Sequence, residues 1–102
     1  MSGFNGIEMN VLRWGEERGI ISYSSSAAQV KKTQEEVQEL VDAIAANDKA
    51  GIIDAIGDVM VTLTMIAAIE DVPLVECYQA AYDEIKTRKG RLDVNGLWIK
   101  ES

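Results

Sequence analysis

The sequence predicts an all-α fold: a four-helix bundle that assembles as an oligomer and ends in a short C-terminal hairpin or arm. Two features of the 102 residues favour this fold. Apolar residues recur at the spacing of helices in four segments. One of those segments is apolar nearly all round, as helices buried on most sides are. No repeat or linker is visible, so we expect one domain over residues 1–102.

The first helix is predicted over residues 3–18, where Phe4, Ile7, Val11 and Trp14 lie at helical spacing and Gly19 is a typical stop. The serine-rich residues 20–25 are expected to form a loop.

Ser26 and Gln29 resemble a capping box that opens the second helix. This helix is predicted to run to about Ala46. Its apolar stripe contains Val30, Val37, Val41 and Ile44.

The third helix, over residues 49–69, follows a short turn at Asn47 and Asp48 and is the apolar one. Four helices in about 100 residues rarely enclose one of their own, so we expect this helix to contribute to a subunit interface. The expected assembly is a homodimer or a dimer of dimers. The longest uncharged apolar stretch, residues 59–69, is shorter than the roughly 20 residues of a membrane helix, so no membrane partner is expected.

Pro73 is expected in the first turn of the fourth helix, which carries Leu74, Tyr78, Tyr82 and Ile85 and is predicted to end at Gly90. Asn95-Gly96 is a turn signal between short apolar runs, which indicates a hairpin or an extended arm.

Composition excludes several kinds of function. The formal net charge of −7 argues against a nucleic-acid partner, because binding to phosphate backbones is driven by Lys and Arg. The sequence contains no His and only one Cys, Cys77, which removes imidazole chemistry and multi-cysteine zinc sites. Catalysis would therefore use carboxylates, water or metal. No secretory signal is visible at the N-terminus, and a cytoplasmic location is expected.

Four carboxylates are predicted to meet between the second and third helices. Glu36 and Glu39 are neighbours on one helix face, and Asp54 and Asp58 are neighbours on the next. If the turn at residues 47–48 makes these helices antiparallel, the rise of ~1.5 Å per residue puts the two pairs level. Helix axes ~8–10 Å apart then let the side chains converge.

Converging carboxylates repel one another unless protons or cations intervene. Oxygen ligands without His or Cys are those that Mg²⁺ or Mn²⁺ prefers. A glutamate run is usually only a solvated helix face, but two aspartates inside an apolar helix need partners wherever they are buried. The pattern therefore predicts a divalent-metal site.

The run KKTQEEVQEL, a turn and then DAIGDVMVTL resemble the MazG-like all-α nucleoside triphosphate pyrophosphohydrolases. That family is marked by an EExxE motif followed by an ExxD motif on the next helix. The segments WGEERGI and AAYDEIKTRKGRLDVNGLWIKE are similar to the first helix and C-terminus of short members often encoded by bacteriophages.

The resemblance implies Mg²⁺-dependent hydrolysis of a nucleoside triphosphate between the α and β phosphates. It implies metal binding by Glu35, Glu36, Glu39 and Asp58. One position differs, because Ala55 occupies the place of the glutamate in ExxD. Asp54 is the nearest replacement, and we expect the small Gly57 to let neighbouring backbone come closer.

Several side chains are predicted to act on a nucleotide. Without His, a carboxylate is the expected general base, and Glu36 and Glu39 are both candidates. Substrate contacts are predicted for Lys32, Lys86, Lys89, Trp14 and Thr62. The basic residues also suit a helix C-terminus, and Trp14 also suits a helical core.

Two other functions fit the sequence. One is a non-catalytic acidic helical oligomer that binds metal or a protein partner. The other is a pyrophosphohydrolase that prefers an alarmone or a modified nucleotide. The sequence does not select the base or the sugar of the substrate.

Overall fold

The computed structural model describes residues 3–101, which form five helices and one hairpin. The helices are α1 (Phe4–Glu17), α2 (Ile20–Tyr23), α3 (Ser26–Ala45), α4 (Lys49–Ile69) and α5 (Leu74–Ile85). Strands β1 (Gly90–Leu92) and β2 (Trp98–Lys100) form an antiparallel pair. The predicted all-α class is thus confirmed for the main body of the chain.

Helices α3 and α4 form the largest helix–helix contact, and a tight turn joins them. Asn47 has a positive φ of 52°, its N–H donates to the carbonyl of Ile44, and the N–H of Asp48 donates to the carbonyl of Ala43. This is the Schellman pattern that ends many helices. The Asp48 carboxylate then accepts a hydrogen bond from the N–H of Gly51 and caps α4. The turn therefore reverses the chain as predicted.

Helix α1 packs on α4 through a close approach at Gly15. A Cβ at this position would lie 2.3 Å from Sδ of Met65, the most deeply buried large side chain. The end of the Met65 side chain thus packs directly against the α1 backbone, and a larger residue at position 15 would require it to move. Trp14, the residue before Gly15, lies beside this contact and lines a pocket together with Met65.

The structure differs from the sequence predictions at three boundaries. Residues 20–23 form the short helix α2 inside the expected loop. Ser25, and not Ser26, is the residue that caps α3, because its hydroxyl accepts a hydrogen bond from the N–H of Ala28. Helix α5 ends at Ile85, with Pro73 just before its first residue, so Lys86 and Lys89 lie beyond the helix. Each difference comes from local hydrogen bonding that residue type alone does not fix.

The single chain has a small core for its length. Among the described residues, its buried apolar side chains are Ala43, Ala55, Met65 and Ala67. The α3 stripe of Val30, Val37, Val41 and Ile44 is exposed. The Cα radius of gyration is 15.8 Å, whereas a compact chain of this length has about 13 Å. Much apolar helix surface is therefore without a partner in one copy.

Helix α4 is long and apolar enough, by length and composition alone, to cross a membrane, and 28% of that stretch is buried in the single chain. This is weak evidence, because core helices of soluble proteins meet the same two criteria. Two aspartates within the helix, Asp54 and Asp58, would be costly to place in a bilayer.

A buried glutamate that the sequence analysis did not identify joins α1 to α5. Glu8 is 7% exposed, and its carboxylate accepts hydrogen bonds from the N–H groups of Leu74, at 2.5 Å, and Val75, at 3.4 Å. These are the free N–H groups at the start of α5, where the helix dipole favours a negative charge. Glu8 is therefore a cap supplied by another helix.

Replacing Glu8 with alanine is expected to lower the free energy of unfolding by about 1–3 kcal/mol, because two part-buried N–H groups lose a charged acceptor. Urea denaturation followed by circular dichroism would measure the change. Glu16→Ala, an exposed position on the same helix, is the matched control and should change it by less than about 0.5 kcal/mol. Equal effects of the two substitutions would contradict the capping role.

Candidate metal and nucleotide site

Three carboxylates from α3 and α4 meet in one place. One carboxylate oxygen from each of Glu36, Glu39 and Asp58 lies within 4.8 Å of the other two. Glu36 and Glu39 are one turn apart on α3, and Asp58 faces them from the antiparallel α4. We call this group the carboxylate cluster.

Glu36 is the buried member of the cluster. Its side chain is 9% exposed, and Oε1 lies 3.4 Å from Nζ of Lys32. The other oxygen, Oε2, is buried and has no hydrogen-bond partner among residues 3–101. Because a buried acceptor without a partner costs free energy, this atom is suited to a bound cation or a proton.

Repulsion and burial within the cluster change its protonation. The close approach and the charge of the neighbouring Glu36 carboxylate raise the pKa of Glu39 above its usual value. Burial raises the pKa of Asp58, and the charges of Asp54 and Glu36 raise it further. Hydrogen bonds to Glu35 and Glu36 raise the pKa of Lys32 and keep it cationic. The cluster therefore holds more negative charge than one lysine balances, which favours a divalent cation.

Two of the predicted metal ligands lie outside the carboxylate cluster. Glu35 is exposed and pairs with Lys32 at 3.4 Å. Asp54 is also exposed, and it acts on the cluster by raising the pKa of Asp58. The structure thus unites three of the five predicted ligands.

Ala55 and Gly57 have different surroundings on α4. Ala55 is 3% exposed and lines a cleft between α3 and α4 together with Glu39 and Asp54. Residue 55, the glutamate position of the ExxD motif, therefore faces α3, and it carries a methyl group in place of a carboxylate. At Gly57 a Cβ would meet no atom within 4 Å, so the closer backbone approach expected at this glycine is absent from the single chain.

A pocket of about 400 Å³ opens beside the cluster, and we call it the Trp14 pocket. Three of the predicted substrate contacts, Trp14, Lys32 and Thr62, line this pocket together with Glu36 and Asp58 of the cluster. The other lining residues are Ile20, Gln29, Val61 and Met65. The Thr62 hydroxyl is buried and bonded to Thr33 and to the carbonyl of Val59, both at 2.8 Å. Thr62 thus lines the pocket mainly as packing surface.

Lys86 and Lys89 do not line the Trp14 pocket. The Lys86 ammonium pairs with Asp83 at 3.2 Å and lies 5.9 Å from the centre of the Tyr82 ring. Both lysines follow the end of α5 and precede the C-terminal hairpin.

Two residues near Trp14, Gln29 and Arg18, were not predicted from the sequence as part of a site. Gln29 lies in the lining of the Trp14 pocket, where its amide donates to the Ser24 hydroxyl at 3.1 Å. The Arg18 guanidinium lies 4.8 Å from the centre of the Trp14 ring and donates to the Trp14 carbonyl. The four-residue spacing of Trp14 and Arg18 was the available signal for this stack.

These features define an all-α domain with an acidic cluster beside a mixed pocket, an arrangement that suits a divalent cation and a phosphate-bearing ligand. Residues 24–91 match the family model described as the MazG nucleotide pyrophosphohydrolase domain. Since this match spans more than half of the 102 residues, the chain belongs to the MazG nucleotide pyrophosphohydrolase family. Comparisons with curated proteins and with solved structures gave no match. The family supports a hydrolase with a nucleotide substrate.

Proposed function

We propose that this protein hydrolyses a nucleoside triphosphate between the α and β phosphates and releases a monophosphate and pyrophosphate. The observation that carries the proposal is the buried, unpartnered Glu36 oxygen in a cluster with Glu39 and Asp58, on α3 and α4, both of which lie within the family match. The adjacent Trp14 pocket offers an aromatic ring and a lysine at the same place.

In this proposal Glu36, Glu39 and Asp58 hold Mg²⁺, and Mn²⁺ is an alternative with the same oxygen preference. When bound, the cation neutralises phosphate oxygens and makes water more acidic. Glu39 is the proposed general base because it is exposed to water, whereas Glu36 is buried and paired with Lys32. Trp14 is proposed to stack on the base of the nucleotide, with Arg18 on the other side of the Trp14 ring.

The reaction would break one phosphoanhydride bond. The oxygen of a water molecule forms a bond to phosphorus as the phosphoanhydride bond breaks. One proton of the water passes to a carboxylate, and pyrophosphate and the monophosphate are released. Lys32 balances part of the negative charge on the enzyme side. The acidic protein could thereby accept an acidic substrate.

Self-association is the second part of the proposal. The small core, the exposed α3 stripe and the apolar α4 favour a homodimer or a dimer of dimers. Light scattering at micromolar concentration would test it, and a mass near the 11.2 kDa of one chain would contradict it.

The activity is tested by incubating the purified protein with each ribo- and deoxyribonucleoside triphosphate and Mg²⁺ and separating the products. Monophosphate and pyrophosphate in equal amounts are expected. An alarmone and oxidised or methylated nucleotides belong in the same series, because preference for one of them would redefine the substrate. No turnover on any nucleotide, with Mg²⁺ still bound, would favour a binding protein.

The metal site is tested by thermal unfolding. We expect Mg²⁺ to raise the Tm, because it binds the folded cluster and relieves carboxylate repulsion. Because the pKa values of Glu39 and Asp58 are raised, the folded, metal-free state binds more protons than the unfolded state. Repulsion between these carboxylates therefore opposes folding at high pH and opposes it less as pH falls. The Mg²⁺-induced rise in Tm should therefore be larger at about pH 8 than at about pH 5. A Tm that saturating Mg²⁺ leaves unchanged would contradict the site.

A further inference from the structure

The C-terminal hairpin, residues 90–100, has no support from the helices of its own chain. No Cα of β1 or β2 lies within 8 Å of a Cα in any described helix. An isolated two-stranded hairpin is only marginally stable in water. This segment is therefore expected to gain its stability from another surface.

One face of the hairpin is apolar and already organised. The strand register pairs Leu92 with Trp98 and Gly90 with Lys100, so these four residues share one face. The Trp98 ring covers Gly90, where a Cβ would fall 2.4 Å from Cζ2 of the ring. Leu92 and Trp98 are still 64% and 54% exposed. We call this surface the Leu92–Trp98 face.

Charge is divided unequally between the hairpin region and the rest of the chain. Residues 86–102 contain five basic and two acidic residues, a net charge of +3. Residues 1–85 contain five basic and fifteen acidic residues, a net charge of −10. A basic arm is thus attached to an acidic helical body, and each such body attracts the arm of another copy.

The helical body offers a surface of matching chemistry. A groove of about 560 Å³ between α1 and α4 has an apolar lining that includes Phe4, Ile7, Ile53 and Val61, and it also contains Asp54 and Asp58. Ile53 is 65% exposed in the single chain. The α1–α4 groove therefore combines apolar surface with carboxylates, as the Leu92–Trp98 face combines apolar surface with Lys100.

We propose that the C-terminal hairpin of one copy docks on a second copy of this chain, with its Leu92–Trp98 face in the α1–α4 groove. The proposal rests on the self-association proposed above and does not require the hydrolase activity, although Asp58 belongs both to the groove and to the carboxylate cluster. Exchange of arms between two copies would cover both the exposed hairpin and the apolar groove.

The test compares full-length variants by sedimentation and light scattering over a range of concentrations. Leu92→Ser with Trp98→Ser is expected to raise the dimer dissociation constant at least tenfold, and Ile53→Ser in the groove should raise it in the same direction. Tyr23→Ser, which removes a 90% exposed aromatic side chain from α2, is the control and should leave it unchanged. Circular dichroism checks that each variant keeps its helices.

Charge is tested separately. Lys100→Glu, on the Leu92–Trp98 face, should weaken the dimer more than Lys31→Glu on α3, although both substitutions change the net charge of the chain from −7 to −9. Equal weakening by the two substitutions would show general repulsion only and would overturn the arm contact.

Mixing distinguishes exchange between copies from folding back on the same copy. A heterodimer of the Leu92→Ser/Trp98→Ser variant and the Ile53→Ser variant retains one intact arm facing one intact groove, whereas neither homodimer does. The mixture should therefore associate more tightly than either variant alone. Absence of this rescue, or a dimer that the arm substitutions do not affect, would overturn the proposal while leaving self-association in place. A wild-type protein that stays monomeric would overturn both, and hydrolysis by that monomer would leave the proposed activity standing.

Discussion

Replacing Asp58 with asparagine is expected to lower kcat/KM for nucleotide hydrolysis by about 100-fold or more. The change keeps the size of the side chain but removes the one carboxylate that α4 gives to the cluster. Loss of a single preorganised group that stabilises transition-state charge typically costs 10²- to 10³-fold. Steady-state hydrolysis measured against Mg²⁺ concentration is the assay, and the variant should also need more Mg²⁺ for half-maximal rate.

The fold should survive this substitution, because Asp58 carries a raised pKa and its charge opposes the metal-free folded state. Asp71→Asn is a suitable control. It makes the same chemical change at an exposed residue just after the end of α4, where a positive φ of 60° suits asparagine as well as aspartate. Parent-like turnover by Asp58→Asn would exclude this aspartate as a metal ligand.

Asp54→Ala decides whether the neighbouring aspartate replaces the missing ExxD glutamate. Because Asp54 lies outside the carboxylate cluster and acts on it through the pKa of Asp58, we expect a smaller loss of turnover than for Asp58→Asn. Equal losses would mean that Asp54 also binds the metal.

Introducing the family's glutamate at position 55 is expected to have the second large effect. Ala55 is buried against α3 beside the cleft that Glu39 lines, so a carboxylate there would meet the cluster. In the absence of metal, Ala55→Glu should lower the free energy of unfolding by about 1–3 kcal/mol through crowding and like-charge repulsion. With Mg²⁺ it should supply one more ligand and lower the concentration for half-maximal stabilisation on the order of tenfold.

Ala55→Gln is the matched control for that prediction. It adds nearly the same volume without the charge, so it should destabilise the protein and leave the Mg²⁺ requirement unchanged. Thermal unfolding of both variants across a Mg²⁺ series separates the two effects. If the glutamine and glutamate variants respond alike to Mg²⁺, residue 55 lies outside the metal site.

The boundaries of the helices illustrate how far local sequence signals extend. The Asn47-Asp48 turn was predictable because its capping chemistry is contained within a few residues. The end of α5 was not, because Gly90, the predicted stop, is the first residue of β1 and is covered by Trp98. That contact depends on how the two strands pair.

The carboxylate cluster likewise combines features that could be predicted from the sequence with features that could not. Helical spacing and an antiparallel turn were sufficient to predict that Glu36, Glu39 and Asp58 meet, because the rise per residue fixes their height along the two helices. Rotation of each helix about its axis was not predictable at this level. It leaves Glu35 and Asp54 outside the cluster and turns Ala55 inward.

The sequence by itself determined the helical class, the antiparallel α3–α4 pair, the family and the three carboxylates of the cluster, because helical periodicity and caps act over a few residues. Only the tertiary structure decided the Glu8 cap on α5, the Gly15–Met65 contact, the unpartnered Glu36 oxygen and the separation of the hairpin from the helices. These features join residues far apart in the chain, and their energies depend on which surfaces pack together, which short-range patterns do not encode.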